Sequence, residues 1–515
     1  MPITRRDAIR VLSAAAPALR PRWAAAAAAG LEIERGPFVG TRQSLSDYRI
    51  PEWFQNAKFG IWAHWGPQSA PEYGDWYARN MYLQGSRQYK YHLQRYGHPS
   101  KFGYKDVIPT WKAERFDADY LVGLYRKAGA KYFVSMGVHH DNFDMWDSRH
   151  QRWNAVNMGA KRDIVGLFRQ AAIKNDLKFG VSEHLWPSYS WFAVAKGHDT
   201  SGPLTGVPYD GHDPKYWDLY GSRPDIPQRP FELNGVPEEW KQTWFRRIKD
   251  LVDRYQPDLL YTDGGIPFEE YGLNQVANLY NLSAKRHRGA VEAVYTSKRR
   301  ADCESGTCAL DLERGIVDAI WPSPWQTDTC VGHWHYDKEA KYKTPKTVID
   351  MLVDIVSRNG NLLLNFPLRS GGTLDDAEHR IVSSITDWMQ VNSEAIYGTR
   401  PWKIYGTDAQ APKPATLGKE LSFNERNRRE LTAGDVRFTQ KGKTLFAFVM
   451  GWPEKEALIQ ALAANSPHRP DRIRNVELLG HKGKLRWVQD DTGLKVQMPA
   501  ERPCEHAIVF KIATA

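Results

Sequence analysis

From residue 58 onward the chain alternates short, dense apolar runs with longer stretches in which apolar positions recur every three or four residues. The runs at 58–66 (KFGIWAHWG), 131–138, 177–184 (LKFGVSEH), 258–265 (DLLYTDGG), 290–297 (AVEAVYTS) and 361–368 (NLLLNFPL) are short and bounded by turn residues, and they predict strands. In 131–138, Tyr132, Phe133, Val134, Met136 and Val138 leave no polar face, as expected of a strand covered on both sides. Between the runs, the helical period predicts helices over 116–128, around Ile164 to Ala171, over 238–255 and 272–287, around Val348, Leu352 and Ile355, and over 375–394. Repeated strand–helix units of this kind predict an α/β fold, specifically a (β/α) barrel. A doubly wound open sheet is the competing arrangement, but no glycine-rich phosphate loop follows the first strand.

After Pro401 the pattern changes. A polar, proline-bearing stretch to about 434 gives way to VRFTQKGKTLFAFVM at 436–450, two strands about a glycine turn, and LRWVQDDTGLKVQM at 485–498 repeats the design. The chain of 515 residues thus divides by pattern into a barrel domain at 36–400 and a C-terminal β-sandwich at 401–515.

Residues 1–30 belong to neither domain. Thr4-Arg5-Arg6-Asp7, the apolar stretch from Val11 to Leu19 and the small residues Ala24 to Ala29 read as a twin-arginine-type export signal, and Pro17 and Pro21 oppose a helix there. Export implies a periplasmic or secreted bacterial protein in an oxidising compartment, where two of the four cysteines can pair; Cys303 and Cys308 are the nearest in sequence. Their spacing is not that of a zinc site. No apolar run reaches the length of a membrane span. The net charge of +10 is interleaved with 60 acidic residues and carries no groove-reading motif, so neither nucleic acid nor membrane is an expected partner. The KRHR cluster at 285–288 sits at a predicted helix end, where cations complement the helix dipole.

A barrel presents its chemistry at the C-terminal ends of its strands. Here those ends carry His64, His139, His140, Glu183, His184, Asp263 and Lys298. Asp263 precedes Gly264-Gly265, so a carboxylate stands at a strand tip beside backbone that a ligand can approach. Turn formation alone would also account for an Asp-Gly pair. Carboxylates, histidines and 20 tryptophans, without a phosphate cradle or nucleophile elbow, suit glycoside chemistry. Two carboxyl groups about 5 to 5.5 Å apart permit double displacement, whereas a wider gap leaves space for water. Glu304 and Glu313, between the fifth strand and Trp325, are the candidate partners of Asp263, and surface solvation would account for either.

KFGIWAHWG, GDWY (74–77), VHHDNFDMWDS, DLLYTDGG, PWQTDTC (324–330), NGNLLLNFPL and EAIYGTRPW (394–402), in this order, resemble the α-L-fucosidases of glycoside hydrolase family 29, over roughly residues 50 to 450. The resemblance implies a retaining exo-hydrolase that releases terminal α-L-fucose from oligosaccharides or glycoconjugates through a covalent fucosyl-aspartate, without a metal or organic cofactor. Asp263 matches the family nucleophile. Glu313, twelve residues before Trp325, matches the acid/base, with Glu304 as second candidate. His64, His139 and His140 match histidines that hydrogen-bond fucose hydroxyls, Asp75 and Trp76 the acidic-aromatic pair that joins them, and Trp334 an aromatic at the sugar's C6 methyl. The oligomeric state is not implied.

The chain also departs from that pattern. Asn142 stands where the family motif has glycine, SEHLWPSYSW (182–191) replaces a tyrosine-containing segment, and the stretch from Phe192 to Asn234 is an insertion, either shaping the aglycone side or running over the surface. Alternatives are the same mechanism on an α-L-galactoside, a non-catalytic carbohydrate-binding protein, or a metal hydrolase built on His139, His140 and the HWH at 333–335. The last is disfavoured on the expectation that adjacent strand histidines point to opposite faces.

Overall fold

The computed structural model describes residues 31–223, 225–226, 229–232, 234–409, 422–469 and 472–515; the expected export signal at 1–30 lies outside them. Eight parallel strands close into a barrel in chain order. They are β1 (Phe59–Ala63), β2 (Tyr132–Val138), β3 (Lys178–Glu183), β4 (Leu259–Thr262), β5 (Val294–Ser297), β6 (Ala309–Asp311), β7 (Trp325–Cys330) and β8 (Gly360–Asn365). β1 pairs with both β2 and β8, which removes every free edge. All residues of β1 and β2 are buried, because helices cover the outside while side chains fill the inside. Those helices start where the sequence supplies a cap: Asp117, Asp163 and Asp375 accept backbone N–H bonds from Tyr120, Gly166 and Glu378 at 3.0, 2.9 and 2.9 Å.

Six of the eight strands carry the apolar signature, and two do not. β6 has only three residues, and β7 reads Trp-Gln-Thr-Asp-Thr-Cys, polar yet wholly buried. Inside the barrel these polar groups are linked to one another: Tyr132 donates its hydroxyl to Gln326 (2.8 Å), Gln326 donates to Asp311 (2.6 Å) and Tyr261 donates to Asp328 (2.9 Å). β5 begins at Val294, four residues later than its apolar run.

The C-terminal strands are β9 (Arg400–Thr407), β10 (Val436–Lys441), β11 (Thr444–Val449), β12 (Glu456–Ile459), β13 (Ile473–Leu478), β14 (Trp487–Asp490), β15 (Gly493–Gln497) and β16 (Ile508–Thr514). They form two antiparallel sheets, β13-β16-β11-β10-β9 and β12-β15-β14, around a second core that includes Trp402, Phe438, Leu445, Leu494 and Phe510. The two hairpins expected from sequence are β10–β11 and β14–β15. β9 overlaps the start of the polar, proline-bearing stretch; it is an edge strand, where a proline costs no ladder bond. The helix Pro345–Ser357 joins the two domains through Asp354, which accepts from Arg437 Nε (2.6 Å), Arg428 Nη1 (2.9 Å) and Arg358 Nη2 (3.1 Å).

Candidate active site

Three adjacent strands, β4, β5 and β6, end in charged side chains that meet. Asp263 follows β4 directly, Lys298 follows β5 directly, and Glu313 stands two residues beyond β6. Lys298 Nζ lies 2.8 Å from Asp263 Oδ1 and also contacts Glu313 Oε2. Two carboxylates sharing one ammonium in this way have their nearest oxygens no more than about 5.5 Å apart, which is compatible with a double-displacement pair. Below them in the barrel, Asp328 Oδ2 is 3.8 Å from the same Nζ. Glu304, by contrast, is 55% exposed at the side chain and paired with Arg300 on its own short helix. The structure therefore brings Glu313, not Glu304, to the lysine that holds Asp263.

The charges follow from these contacts. Burial works against ionised Asp263, but Lys298, His184 and His140 outweigh it and hold the carboxyl well below the usual carboxylate range. His184 Nδ1 and His140 Nε2 lie 3.2 and 3.3 Å from Asp263 Oδ2. Burial of Glu313, helped by Asp328 and Asp263, pushes its carboxyl up to about 7 against the pull of Lys298. Burial opposes the charge on Lys298, yet Asp263, Asp328 and Glu313 keep its ammonium well above the ordinary lysine value.

Around this pair stand the expected sugar-binding residues. His64, His139, His140 and Trp334 are contiguous: ring centroids are 5.8 Å apart for His64 and His139, 4.4 Å for His139 and His140, and 4.9 Å for His64 and Trp334. His64 accepts orientation from Asn365, whose Oδ1 takes the His64 backbone N–H at 2.7 Å and lies 3.2 Å from Nδ1; Gln68 Nε2 lies 2.9 Å from His139 Nδ1. Burial, reinforced by neighbouring imidazoles, drives His64 and His139 well below the usual histidine value. They are therefore neutral at pH 7, each with one donor and one acceptor nitrogen, as a hydroxyl requires. Asp75 spends both oxygens on the backbone, accepting from His335 N (2.6 Å) and Trp334 N (3.2 Å), so it holds the loop that carries Trp334. Trp76 stands beside His140, with centroids 6.2 Å apart.

Several expectations need correction. His139 and His140 lie beyond the end of β2, where strand alternation no longer applies, and their rings sit together on the site. As a result, ligand atoms of His64, His139 and His184, and of His140, His184 and Asp263, fall within 4.8 Å of one another and could hold a metal ion. The space beside Gly264 is not free for a ligand. Its φ is +132°, and a Cβ there would lie 2.9 Å from the Trp186 ring, whose Nε1 donates to the Asp263 carbonyl. Glu183 is held within the fold rather than brought to Asp263 by a hydrogen bond: it accepts from Leu185 N (3.0 Å) and Trp244 Nε1 (3.2 Å), and burial pushes it up to about 7. Asn142 occupies the glycine position because φ there is +63°, a left-handed conformation that asparagine tolerates, and its amide donates to Leu219 O (2.8 Å) and Asp218 O (3.1 Å) of the insertion. The insertion is not a surface excursion. Tyr82 and Tyr220 both donate to Asp210 (2.7 and 2.6 Å), and Tyr89 and Tyr209 both donate to Asp199 (2.5 and 2.6 Å).

Lys298 and His184 were visible in sequence as strand-end residues but without a role, while Asp328 was hidden in a polar strand with no apolar signal.

Residues 25–394 match the family described as alpha-L-fucosidase, and residues 428–513 match the alpha-L-fucosidase C-terminal domain. The chain belongs to the α-L-fucosidase family. Similar to it are the human plasma α-L-fucosidase, 28% identical over 488 residues with 91% of each chain covered, and the α-L-fucosidase of Branchiostoma floridae, 26% identical with 92% of this chain and 95% of that one covered. Among solved structures, the Thermotoga maritima α-fucosidase in complex with fucose shares the fold at a TM-score of 0.70 and 22% identity, over 92% of this chain and 100% of the other. A trapped covalent intermediate of the Bacteroides thetaiotaomicron enzyme aligns at 0.62 and 17%, over 94% and 98%. This family member therefore pairs a barrel with the family's C-terminal β domain.

Proposed function

We propose that the chain hydrolyses terminal α-L-fucosides by double displacement, with Asp263 as nucleophile and Glu313 as acid/base. The observation that carries this reading is the pair of carboxylates on one ammonium, one held ionised and the other poised to keep a proton. A carboxylate oxygen of Asp263 forms a bond to the anomeric carbon. The bond to the leaving oxygen breaks, and that oxygen keeps the electron pair and takes the proton of Glu313. In the second half Glu313, now ionised, takes a proton from water, whose oxygen displaces Asp263 from the sugar. Lys298 serves both halves: its charge faces ionised Asp263 first, and faces ionised Glu313 once Asp263 has become a neutral ester. Neutral His64 and His139 bind the hydroxyls, His140, with Nδ1 on the His184 carbonyl and Nε2 on Asp263, orients the nucleophile, and Trp334 offers an apolar face to the methyl group.

In the test, Asp263→Gly should lower hydrolysis of an aryl α-L-fucoside at least about a thousandfold, and azide should restore turnover as a fucosyl azide. A chelator should leave the native rate unchanged. Retained hydrolysis in the variant removes Asp263 from the chemistry, and chelator sensitivity would instead favour metal binding by the histidine groups.

The substrate is a fucosylated oligosaccharide or glycoconjugate. We also assign the chain to the bacterial periplasm or exterior. That reading is supported by the twin-arginine pattern at residues 4–7 and by the Cys303–Cys308 bridge. Recovery of full-length, unprocessed protein from the cytoplasm alone would overturn it.

A further inference from the structure

The insertion brings one aromatic side chain to the mouth of the site. Phe231 is 40% exposed, although its ring lies 5.4 Å from His140, 5.6 Å from Trp76 and 6.0 Å from Trp186. Two of those neighbours touch the nucleophile itself: His140 through Nε2 and Trp186 through its bond to the Asp263 carbonyl. Phe231 is thus one side chain removed from Asp263, with a free face toward solvent. Its neighbours are fixed. Trp186 lies against Gly264, where no side chain would fit, and its own carbonyl accepts from Trp240 Nε1 at 3.3 Å. Trp76 and His140 both pack on the fully buried Trp191, at 5.9 and 5.4 Å.

We propose that Phe231, with Trp186 and Trp76, forms the leaving-group subsite, an aromatic mouth that stacks on the apolar C–H face of the sugar to which fucose is attached. On the proposed reading the histidines and Trp334 hold the deoxy-sugar on the barrel side, so whatever is attached to its anomeric oxygen must leave past the rim. A large apolar face left exposed there, amid three aromatic neighbours, costs hydration that a stacked pyranose recovers. The ligand class is a pyranosyl aglycone, and specificity between glycans then resides at this rim, to which the insertion contributes Phe231, rather than in the fucose pocket.

The inference rests on the proposed hydrolysis, and two substrates separate their failures. α-L-Fucosyl fluoride and α-L-fucosyl disaccharides form the same fucosyl-enzyme but differ in what occupies the mouth. Phe231→Ala should lower kcat/KM on the disaccharides that the native chain cleaves by about tenfold or more and leave the fluoride within about twofold. Phe231→Tyr, which keeps the stacking face, should restore the disaccharide rate. Equal losses on both substrates, or no loss on any disaccharide, overturn the subsite. If the native chain cleaves neither class, the proposed hydrolysis fails and the subsite fails with it.

Discussion

At the scale of single residues, one ammonium organises the chemistry. On the proposed mechanism, free enzyme needs Asp263 ionised and Glu313 protonated, and kcat/KM reports the free enzyme. Asp263 is held well below the ordinary carboxylate range, so it stays ionised through mildly acidic pH, whereas Glu313 loses its proton as pH rises past about 7. A pH profile of kcat/KM should therefore be flat below neutrality and fall about tenfold per unit above it. Lys298 lowers the proton affinity of both carboxyls, so Lys298→Met should raise both: the alkaline limb moves upward, an acid limb enters from below, and the maximum drops by roughly a hundredfold. A lysine with only a packing role would reduce the rate and leave both limbs where they were.

At the scale of elements, the insertion is tied to the barrel by the residue that replaces a glycine. Asn142 adopts φ +63° and donates to Leu219 and Asp218, in the helix Trp217–Tyr220. Beside it the buried pair of Arg247 and Asp144, with Oδ1 2.5 Å from Nη2, links the end of β2 to the helix Glu238–Tyr255. Asn142→Ala loses both amide N–H bonds and the bond that its Oδ1 accepts from Arg247, and keeps a strained backbone, which should cost about 2 to 3 kcal/mol. Asn142→Gly relieves the backbone and should cost about 1 kcal/mol less. Thermal unfolding of the two variants checks the order, and an equal loss would show that backbone conformation plays no part.

At the scale of the whole molecule, the two domains meet on a buried carboxylate. Asp354 faces Arg358, Arg428 and Arg437, which hold it far below the usual range although burial opposes its charge. Removing it leaves Arg358 and Arg428 without a paired carboxylate and Arg437 with Asp408 alone, so Asp354→Ala should destabilise the protein by about 3 to 5 kcal/mol, seen as a lower Tm in calorimetry. An unchanged Tm would mean that solvent reaches the joint. Much of this architecture is legible in the chain, for physical reasons that differ from part to part. Strands such as β2 and β8 announce themselves because both faces must be apolar, and Asp263, His64, His139 and His140 follow from standing at their ends. β7 does not announce itself, because Gln326 and Asp328 find their partners on other strands and Thr327 on the backbone just past β6, and β9 does not because an edge strand needs neither full burial nor every N–H. The sequence by itself determined which groups stand at the strand tips, since local periodicity sets where each strand ends. Only the tertiary structure decided that Lys298 bridges Asp263 and Glu313, that Glu304 stays in solvent, and that Phe231 reaches the rim, because closing the barrel brings together side chains whose separation in sequence carries no record of their distance in space.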